Sequence, residues 1–378
     1  MSRRRQLPIS FACVLVAILK LNAFNTEVPQ LARSMRDIRA DEKQNPQHDV
    51  GVVETGSSLS ASQFDLLRKA ENGDKESQYA LAMLYQEGRG VEKNYVEAVR
   101  WYRKSAEQGW PAAENKLGQM YDHGRGVPLD KTQAVFWYRK AAEQNYAPAE
   151  ANLGIAYKEG VGIAQDYRLA LQWCDRAAKQ GVYSAFHCIG SLYYGGNALR
   201  KDYRKAAEMF AKASEGGHSV AQVDLALMYM EGKGVRHSDK QAVEWFLRAA
   251  EQGSAAGQAG LGYCYGSGRG VKRDYARAAT WFLKSADQDD TSSQSNLGFL
   301  YEHGLGVKMD YVEAYKWYTL AAGHGDLPSR QEVRSLSGIM TTAQIELAQS
   351  RILAWNPTIQ DSDAGASLEA ILLRNNSR

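Results

Sequence analysis

The sequence predicts an all-α fold, an α-solenoid that stacks pairs of helices in repeats of 36 residues. Three observations predict it: an internal alignment, a column of helix-ending glycines, and a regular spacing of alanine and tryptophan. The chain aligns with itself at a shift of 36 residues without an insertion, and seven tyrosines then fall into register. The aligned tyrosines are Tyr85, Tyr121, Tyr157, Tyr193, Tyr229, Tyr265 and Tyr301.

The first helix of each predicted repeat ends at a glycine, which can adopt the left-handed conformation that closes a helix. In six of the seven repeats a second glycine follows two residues later, whereas the fourth repeat has Ala198 there. Because the pair recurs along the whole array, we interpret it as a turn and not as a phosphate-binding loop. The helix-ending glycines are Gly88, Gly124, Gly160, Gly196, Gly232, Gly268 and Gly304.

The second helix of each predicted repeat begins at a residue whose side chain can accept hydrogen bonds from the free amides of the first turn. In four repeats a Glu or Gln three residues later predicts a reciprocal capping box. These four residues are Glu97, Gln133, Gln241 and Glu313. The predicted caps are Asn94, Asp130, Asp166, Asp202, Ser238, Asp274 and Asp310.

The second helices are predicted to pack through alternating small and large side chains. Alanine lets helices approach closely, and tryptophan three residues later on the same face buries a large area. The fourth repeat has Met209 instead of tryptophan, so we expect its packing to be the least regular. The alanines are Ala98, Ala134, Ala170, Ala206, Ala242, Ala278 and Ala314. The tryptophans are Trp101, Trp137, Trp173, Trp245, Trp281 and Trp317.

The residues outside the repeats predict an export signal and capping segments. Arginines at 3–5, an apolar run from Ile9 to Leu19 and small residues near Ala23 are typical of a secretory signal. Lys20 interrupts the apolar run, and a transmembrane helix needs about 20 apolar residues, so cleavage is favoured over a retained anchor. The predicted segments are a signal peptide at 1–23, a flexible linker at 24–60, a half-repeat cap at 61–73, seven repeats at about 74–325, C-terminal capping helices at 326–356 and a mostly disordered tail at 357–378.

The charge of the chain gives no reason to expect nucleic acid or an anionic membrane as its partner. Lys and Arg number 46, and Asp and Glu number 43. Cleavage of the signal removes four basic residues and no acidic one, which leaves 42 against 43. A nearly neutral chain lacks the net positive charge that attracts polyanions.

Three cysteines remain after cleavage, too few for a disulfide framework. Cys174 and Cys188 each lie seven residues from Gly181, the predicted bend between the third and fourth repeats. They could face each other across a helical hairpin and form a disulfide, or they could be two buried thiols. Cys264 falls in an apolar column and is interpreted as a core thiol.

The repeat pattern L-G-x-x-Y-x-x-G-x-G-V-x-x-D-Y-x-x-A-x-x-W-Y-x-K-A-A-x-x-G, clearest from Leu117 and from Leu297, resembles the Sel1-like repeat (SLR) family. These proteins are relatives of tetratricopeptide repeats, which have a period of about 34 residues and lack the paired glycines. The resemblance covers about residues 61–356. It implies a right-handed superhelix of antiparallel helix pairs that acts as an adaptor in cell envelopes or in host interaction.

We therefore expect a noncatalytic scaffold, periplasmic or secreted, that binds a protein or peptide and needs no cofactor or metal. The alternative is a hydrolase of cell-wall material or β-lactams, because some cysteine-rich relatives are described as β-lactamases. Those relatives carry a cysteine pair in each repeat, which this chain lacks. The chain also has no Ser-x-x-Lys, His-Glu-x-x-His or phosphate-loop motif, so no catalytic residue is predicted.

The candidate binding surface is the variable face of the first helices. The column that contains Tyr79, Asn115 and His187 changes character between repeats, as do the columns four and seven residues later. These positions share one helical face, which stacking would extend into a concave surface. Its apolar side chains either pack neighbouring repeats or bind a partner, and their burial distinguishes the two. The candidate partner-binding residues are Tyr194, Val223, Leu227, Met230, Tyr263 and Phe299.

Overall fold

The structure, a computed structural model, describes residues 61–196 and 199–358. In these residues 17 helices are joined by short turns, and no strand occurs. The predicted signal peptide at 1–23, the linker at 24–60 and the tail after residue 358 lie outside the described residues. The helices are α1 (Ala61–Glu71), α2 (Lys75–Glu87), α3 (Tyr95–Glu107), α4 (Pro111–His123), α5 (Lys131–Glu143), α6 (Ala147–Glu159), α7 (Tyr167–Lys179), α8 (Tyr183–Gly195), α9 (Tyr203–Glu215), α10 (Ser219–Glu231), α11 (Asp239–Glu251), α12 (Ala255–Ser267), α13 (Tyr275–Ala286), α14 (Thr291–His303), α15 (Tyr311–Gly323), α16 (Leu327–Ser337) and α17 (Thr342–Leu353).

The helices from α2 to α15 form seven consecutive pairs, one for each repeat. We call the even-numbered members α2 to α14 the first helices and the odd-numbered members α3 to α15 the second helices. Each helix packs mainly against its neighbours in sequence, as expected when repeats stack in a line. The helix α1 covers the N-terminal end, while α16 and α17 pack against α15. This architecture confirms the predicted α-solenoid.

The array curves with its first helices on the inner side. First helices of neighbouring repeats contact each other directly at three boundaries, α6 with α8, α10 with α12 and α12 with α14. The second helices of neighbouring repeats approach each other less closely. These contacts place the first helices on the inner side of the array.

The paired glycines form the turn inside each repeat. Gly232 closes α10 in the left-handed conformation with φ of 67°, and Gly234 has φ of 70°. A Cβ atom on Gly234 would also overlap the backbone of Tyr203 at the start of α9 in the preceding repeat. Glycine is therefore favoured at the second position for two reasons, the positive φ and the close approach between successive repeats.

All seven predicted caps accept backbone hydrogen bonds at the start of a second helix. The outcome for the predicted capping boxes is different, because Glu97 and Glu313 form ion pairs. The Glu97 carboxylate pairs with Arg100, and the Glu313 carboxylate binds Arg351 on α17. A complete capping box forms instead between Thr341 and Gln344 at the start of α17. Glu97 and Glu313 therefore serve ion pairs, one within its helix and one to the C-terminal cap.

The core lies between the helices of each pair and between successive pairs. The alanine column is buried throughout, and Trp101, Trp137 and Trp317 are buried with it. Other tryptophans of that column are half-buried, such as Trp245, whose ring lies under the Arg248 guanidinium at 4.4 Å. Three of the six indoles therefore bury less area than their spacing predicted, and basic side chains cover part of their outer surface.

Cys174 on α7 and Cys188 on α8 form a disulfide, with a Cα to Cα distance of 6.4 Å. Of the two alternatives left open by the sequence, the structure therefore has the cross-link. It joins the second helix of the third repeat to the first helix of the fourth. Cys264 is a buried free thiol, and burial raises its pKa to about 12, so the core-thiol interpretation holds.

Candidate partner-binding surface

The six candidate residues lie on the first helices of four successive repeats. Tyr194 is on α8, Tyr263 on α12 and Phe299 on α14, while α10 carries the other three. The last three are Val223, Leu227 and Met230. The structure thus brings the candidates to the inner side of the array, but it buries them to different degrees.

Val223 and Tyr194 belong to the core and not to an open surface. Val223 is 0% exposed and packs between α10 and its neighbours, so we remove it from the candidate surface. Tyr194 is 8% exposed, with its hydroxyl accepting a hydrogen bond from Lys233 Nζ at 3.1 Å. Tyr194 therefore also has a structural role, holding the loop of the fifth repeat against the fourth.

Leu227, Met230, Tyr263 and Phe299 are half-buried. Leu227, Tyr263 and Phe299 are separated by 36 residues each and so occupy one column along the inner face. Each packs with part of its side chain on the core and leaves the remainder to solvent. These four residues form what we call the inner apolar strip, and their role as partner-binding residues stays a prediction.

Several residues of the variable column connect neighbouring first helices. Asn152 Nδ2 donates to Asn115 Oδ1 at 2.9 Å, and His187 Nε2 lies 2.8 Å from Asp224 Oδ2. Both pairs are 37 residues apart, one more than the repeat period. The residue type at these positions therefore differs between repeats partly because different polar pairs join neighbouring first helices. A search for complementary residues at a spacing of 37 could have found them.

A histidine pair lies at the centre of the array, between the fourth and fifth repeats. The rings of His187 and His218 are stacked with centroids 4.8 Å apart. His218 caps α10 by accepting a hydrogen bond at Nδ1 from the Ala221 amide at 3.2 Å. Burial, and secondarily the nearby His187, lowers the pKa of His218 to about 3. His218 is therefore a neutral acceptor over the physiological range.

Arg269 joins the loop of the sixth repeat to the fifth repeat at the edge of the inner strip. Its guanidinium donates to the Met230 carbonyl at 3.1 Å and to the Asp239 carboxylate. Burial raises the pKa of the Tyr263 hydroxyl, although the neighbouring Arg269 opposes the shift. Arg269 was not among the candidate residues, because its role depends on contacts across the repeat boundary.

A cleft of about 510 Å³ lies at the C-terminal end of the array, lined by Tyr301, Met309, Tyr311 and Gln344 among others. In five earlier repeats the equivalent of Tyr311 is covered by the second glycine of the following repeat, as Gly306 covers Tyr275. The cleft therefore marks where the loop of a further repeat would pack. We interpret it as the end of the stack.

Within residues 61–196 and 199–358, no three His, Cys, Asp or Glu side chains are grouped to hold a metal ion. None of the helices in the same ranges combines the length and the apolar character needed to cross a membrane.

A protein-family model described as Sel1 repeat matches seven segments of the chain. The matched segments are residues 75–110, 111–146, 147–182, 189–218, 219–254, 255–290 and 291–326. No curated protein matches the chain.

The solved structures that are similar include a Sel1 repeat protein from Oxalobacter formigenes, with 32% identity and a TM-score of 0.55. That match covers 65% of this chain and 96% of the other. Another is c5321, a protective antigen of uropathogenic Escherichia coli with an SLR fold, at 25% identity and a TM-score of 0.44. It covers 86% of this chain and 91% of that one.

Proposed function

The chain belongs to the Sel1 repeat family, and from that premise we propose that it is an exported, noncatalytic scaffold that binds a protein or peptide in its concave groove. Sel1 repeat proteins are generally protein-interaction scaffolds. The finer proposal concerns this chain: its partner lies on the first helices of repeats four to seven, in an envelope complex or on a host protein.

The inner apolar strip is the observation that carries this proposal. Leu227, Tyr263 and Phe299 form one column and are all half-buried, so each offers apolar surface to a partner. Apolar side chains in a row on a concave surface suit an extended segment or the apolar face of a helix. Because the stacked repeats hold these side chains on rigid helices, binding would need little ordering of the scaffold.

The disulfide supports export. Disulfides persist in oxidising compartments such as the periplasm and the cell exterior, and they are rare in the cytosol. The Cys174–Cys188 bridge thus agrees with the signal predicted at residues 1–23, which implies a periplasmic or secreted protein. Intact-mass measurement of the protein from the envelope fraction tests this: cleavage near Ala23 and an oxidised cysteine pair are expected. A full-length reduced chain would contradict export.

Site-specific photocrosslinking tests the groove. A crosslinking side chain at Leu227 or Tyr263 should capture a partner protein from the envelope fraction. The control positions are Leu247 and Leu283, exposed leucines on the second helices of the same two repeats. Capture of the same partners at equal yield from both pairs would refute the assignment to the inner face.

A substitution test complements the crosslinking. Leu227→Asp with Tyr263→Asp should abolish recovery of the captured partner, and Leu247→Asp with Leu283→Asp should not. Circular dichroism and the unfolding midpoint check that both variants fold, because the first pair is half-buried. Equal recovery by both folded variants would count against the groove.

A further inference from the structure

The loops of the fourth, fifth and sixth repeats concentrate positive charge. We compare nine-residue windows that run from the residue between the two glycine positions into the first turn of the second helix. Windows 197–205, 233–241 and 269–277 contain eleven Lys or Arg and three Asp or Glu. The windows of the other four repeats together contain six Lys or Arg and six Asp or Glu. Those windows are 89–97, 125–133, 161–169 and 305–313. We call the described residues of the first three windows, 199–205, 233–241 and 269–277, the basic edge.

The three acidic residues of the basic edge are engaged within the fold. The Asp202 and Asp274 carboxylates accept hydrogen bonds from the first-turn amides of α9 and α13. The Asp239 carboxylate binds Arg269. These carboxylates keep their charge, so the positive charge of the edge comes from the excess of eleven basic over three acidic residues.

One column of the basic edge consists of exposed cations. Arg200, Arg236 and Lys272 are separated by 36 residues each, and all three are exposed. Among the residues that the structure describes, none of the three forms an ion pair, whereas Lys233 pairs with Glu231. Gly234 and Gly270 pack on the backbone at the start of the second helix of the preceding repeat, so successive loops adjoin and place like charges in a row. Such a row produces a positive potential that attracts an anionic partner.

The surroundings favour an acidic protein segment over nucleic acid. Single-stranded nucleic acid binds through bases stacked on open aromatic rings beside basic residues. Here the ring of Tyr203 lies under Lys201 and Lys233, each at 5.8 Å, and the ring of Tyr265 lies under Arg277 at 5.5 Å. Cations already cover these rings, so stacking sites for bases are not open.

The surroundings also disfavour a membrane. Peripheral segments that insert into a membrane interface combine basic residues with exposed large apolar side chains. None of the large apolar side chains that are exposed in residues 61–196 and 199–358 belongs to the basic edge. Acidic side chains of a polypeptide can pair with the row of cations without any insertion.

We propose that the basic edge binds an acidic segment of a protein partner. This inference rests on the proposed function, since it names the charge of the partner that the scaffold holds. The edge also borders the inner apolar strip, because Arg269 donates to the Met230 carbonyl. One partner can therefore place an apolar part in the groove and an acidic part along the loops.

The test measures the affinity of the full chain for a fluorescent peptide of alternating Glu and Ser residues. The variant carries Arg200→Gln, Arg236→Gln and Lys272→Gln. We expect it to bind about tenfold more weakly than wild type at ~0.05 M salt, because three exposed charge pairs are lost. The control carries Arg168→Gln, Arg330→Gln and Arg334→Gln, which removes the same charge from exposed positions elsewhere. It should bind like wild type.

Three results would overturn the proposal. The first is no binding of the peptide by the wild type at low salt. The second is equal weakening by the control, which would mean that only net charge matters. The third is binding of duplex DNA or anionic lipid vesicles, but not of the peptide. The peptide has no apolar side chain for the groove, so a wrong groove leaves its binding unchanged whereas a wrong basic edge does not.

Discussion

Reduction of the Cys174–Cys188 disulfide should destabilise the boundary between the third and fourth repeats. The two cysteines are 14 residues apart, and cross-linking a loop of about 15 residues stabilises a fold by ~3 kcal/mol through the entropy of the unfolded chain. Both side chains are 0% exposed, and two thiols in the same place remain compatible with an apolar core. We therefore expect reduction to lower the free energy of unfolding of this region by ~3 kcal/mol.

The effect should be local, because solenoid repeats are stabilised mainly by their neighbours. Amides of α7 and α8 should exchange with solvent faster after reduction, while those of α3 and α13 keep their rates. Hydrogen exchange read by mass spectrometry resolves the two regions. Urea unfolding of oxidised and reduced protein gives the accompanying shift in midpoint.

Two variants serve as controls for the reduction experiment. Cys174→Ala with Cys188→Ala should be insensitive to reductant, and Cys264→Ala should respond like wild type because Cys264 is a free thiol. Intact mass must show the gain of two hydrogens. If confirmed reduction leaves both the midpoint and the exchange of α7 and α8 unchanged, the reasoning is refuted.

Two further predictions concern the turns and the histidine pair. Gly181→Ala should destabilise the fold by ~1 kcal/mol, and Gly234→Ala should destabilise it by more. Both glycines have positive φ, but only a Cβ on Gly234 would meet the preceding repeat. Equal urea midpoints of the two variants would contradict this. The pKa of His218 is lowered from 6.5 to about 3, so the unfolded chain binds a proton in this window and the folded chain does not. Stability should therefore fall as pH drops from about 6.5 towards 3, by at most about 1.4 kcal/mol per pH unit. His218→Asn keeps a capping side chain and should flatten this dependence, and superimposable pH profiles of the two proteins would exclude the mechanism.

The local features of the fold could be predicted from the sequence. A helix-ending glycine such as Gly88 and a cap such as Asp166 act on backbone groups within a few residues, so their roles depend on residue type and register alone. The structure confirms both kinds of residue in every repeat. Glu313 was assigned wrongly because its partner, Arg351, is 38 residues away.

The candidate surface could be predicted only in part. Periodicity places Val223 on the inner side of α10, but the fit between neighbouring first helices decides whether its side chain remains accessible. The disulfide likewise depended on the distance between two helices. The basic edge was missed because a whole-chain charge near zero averages the basic loops of repeats four to six with neutral loops elsewhere.

The contact of each second glycine with the preceding repeat has a consequence for how such a chain can change in length. Gly234 packs on the backbone of Tyr203, and Gly270 packs on that of Asp239. The position of each of these loops is therefore set by contact with the repeat before it. An insertion of a few residues within a repeat would break this spacing, whereas duplication of a whole repeat would preserve it. The chain can therefore lengthen or shorten by whole repeats without breaking these contacts. Each added repeat would extend the groove and the row of loops together.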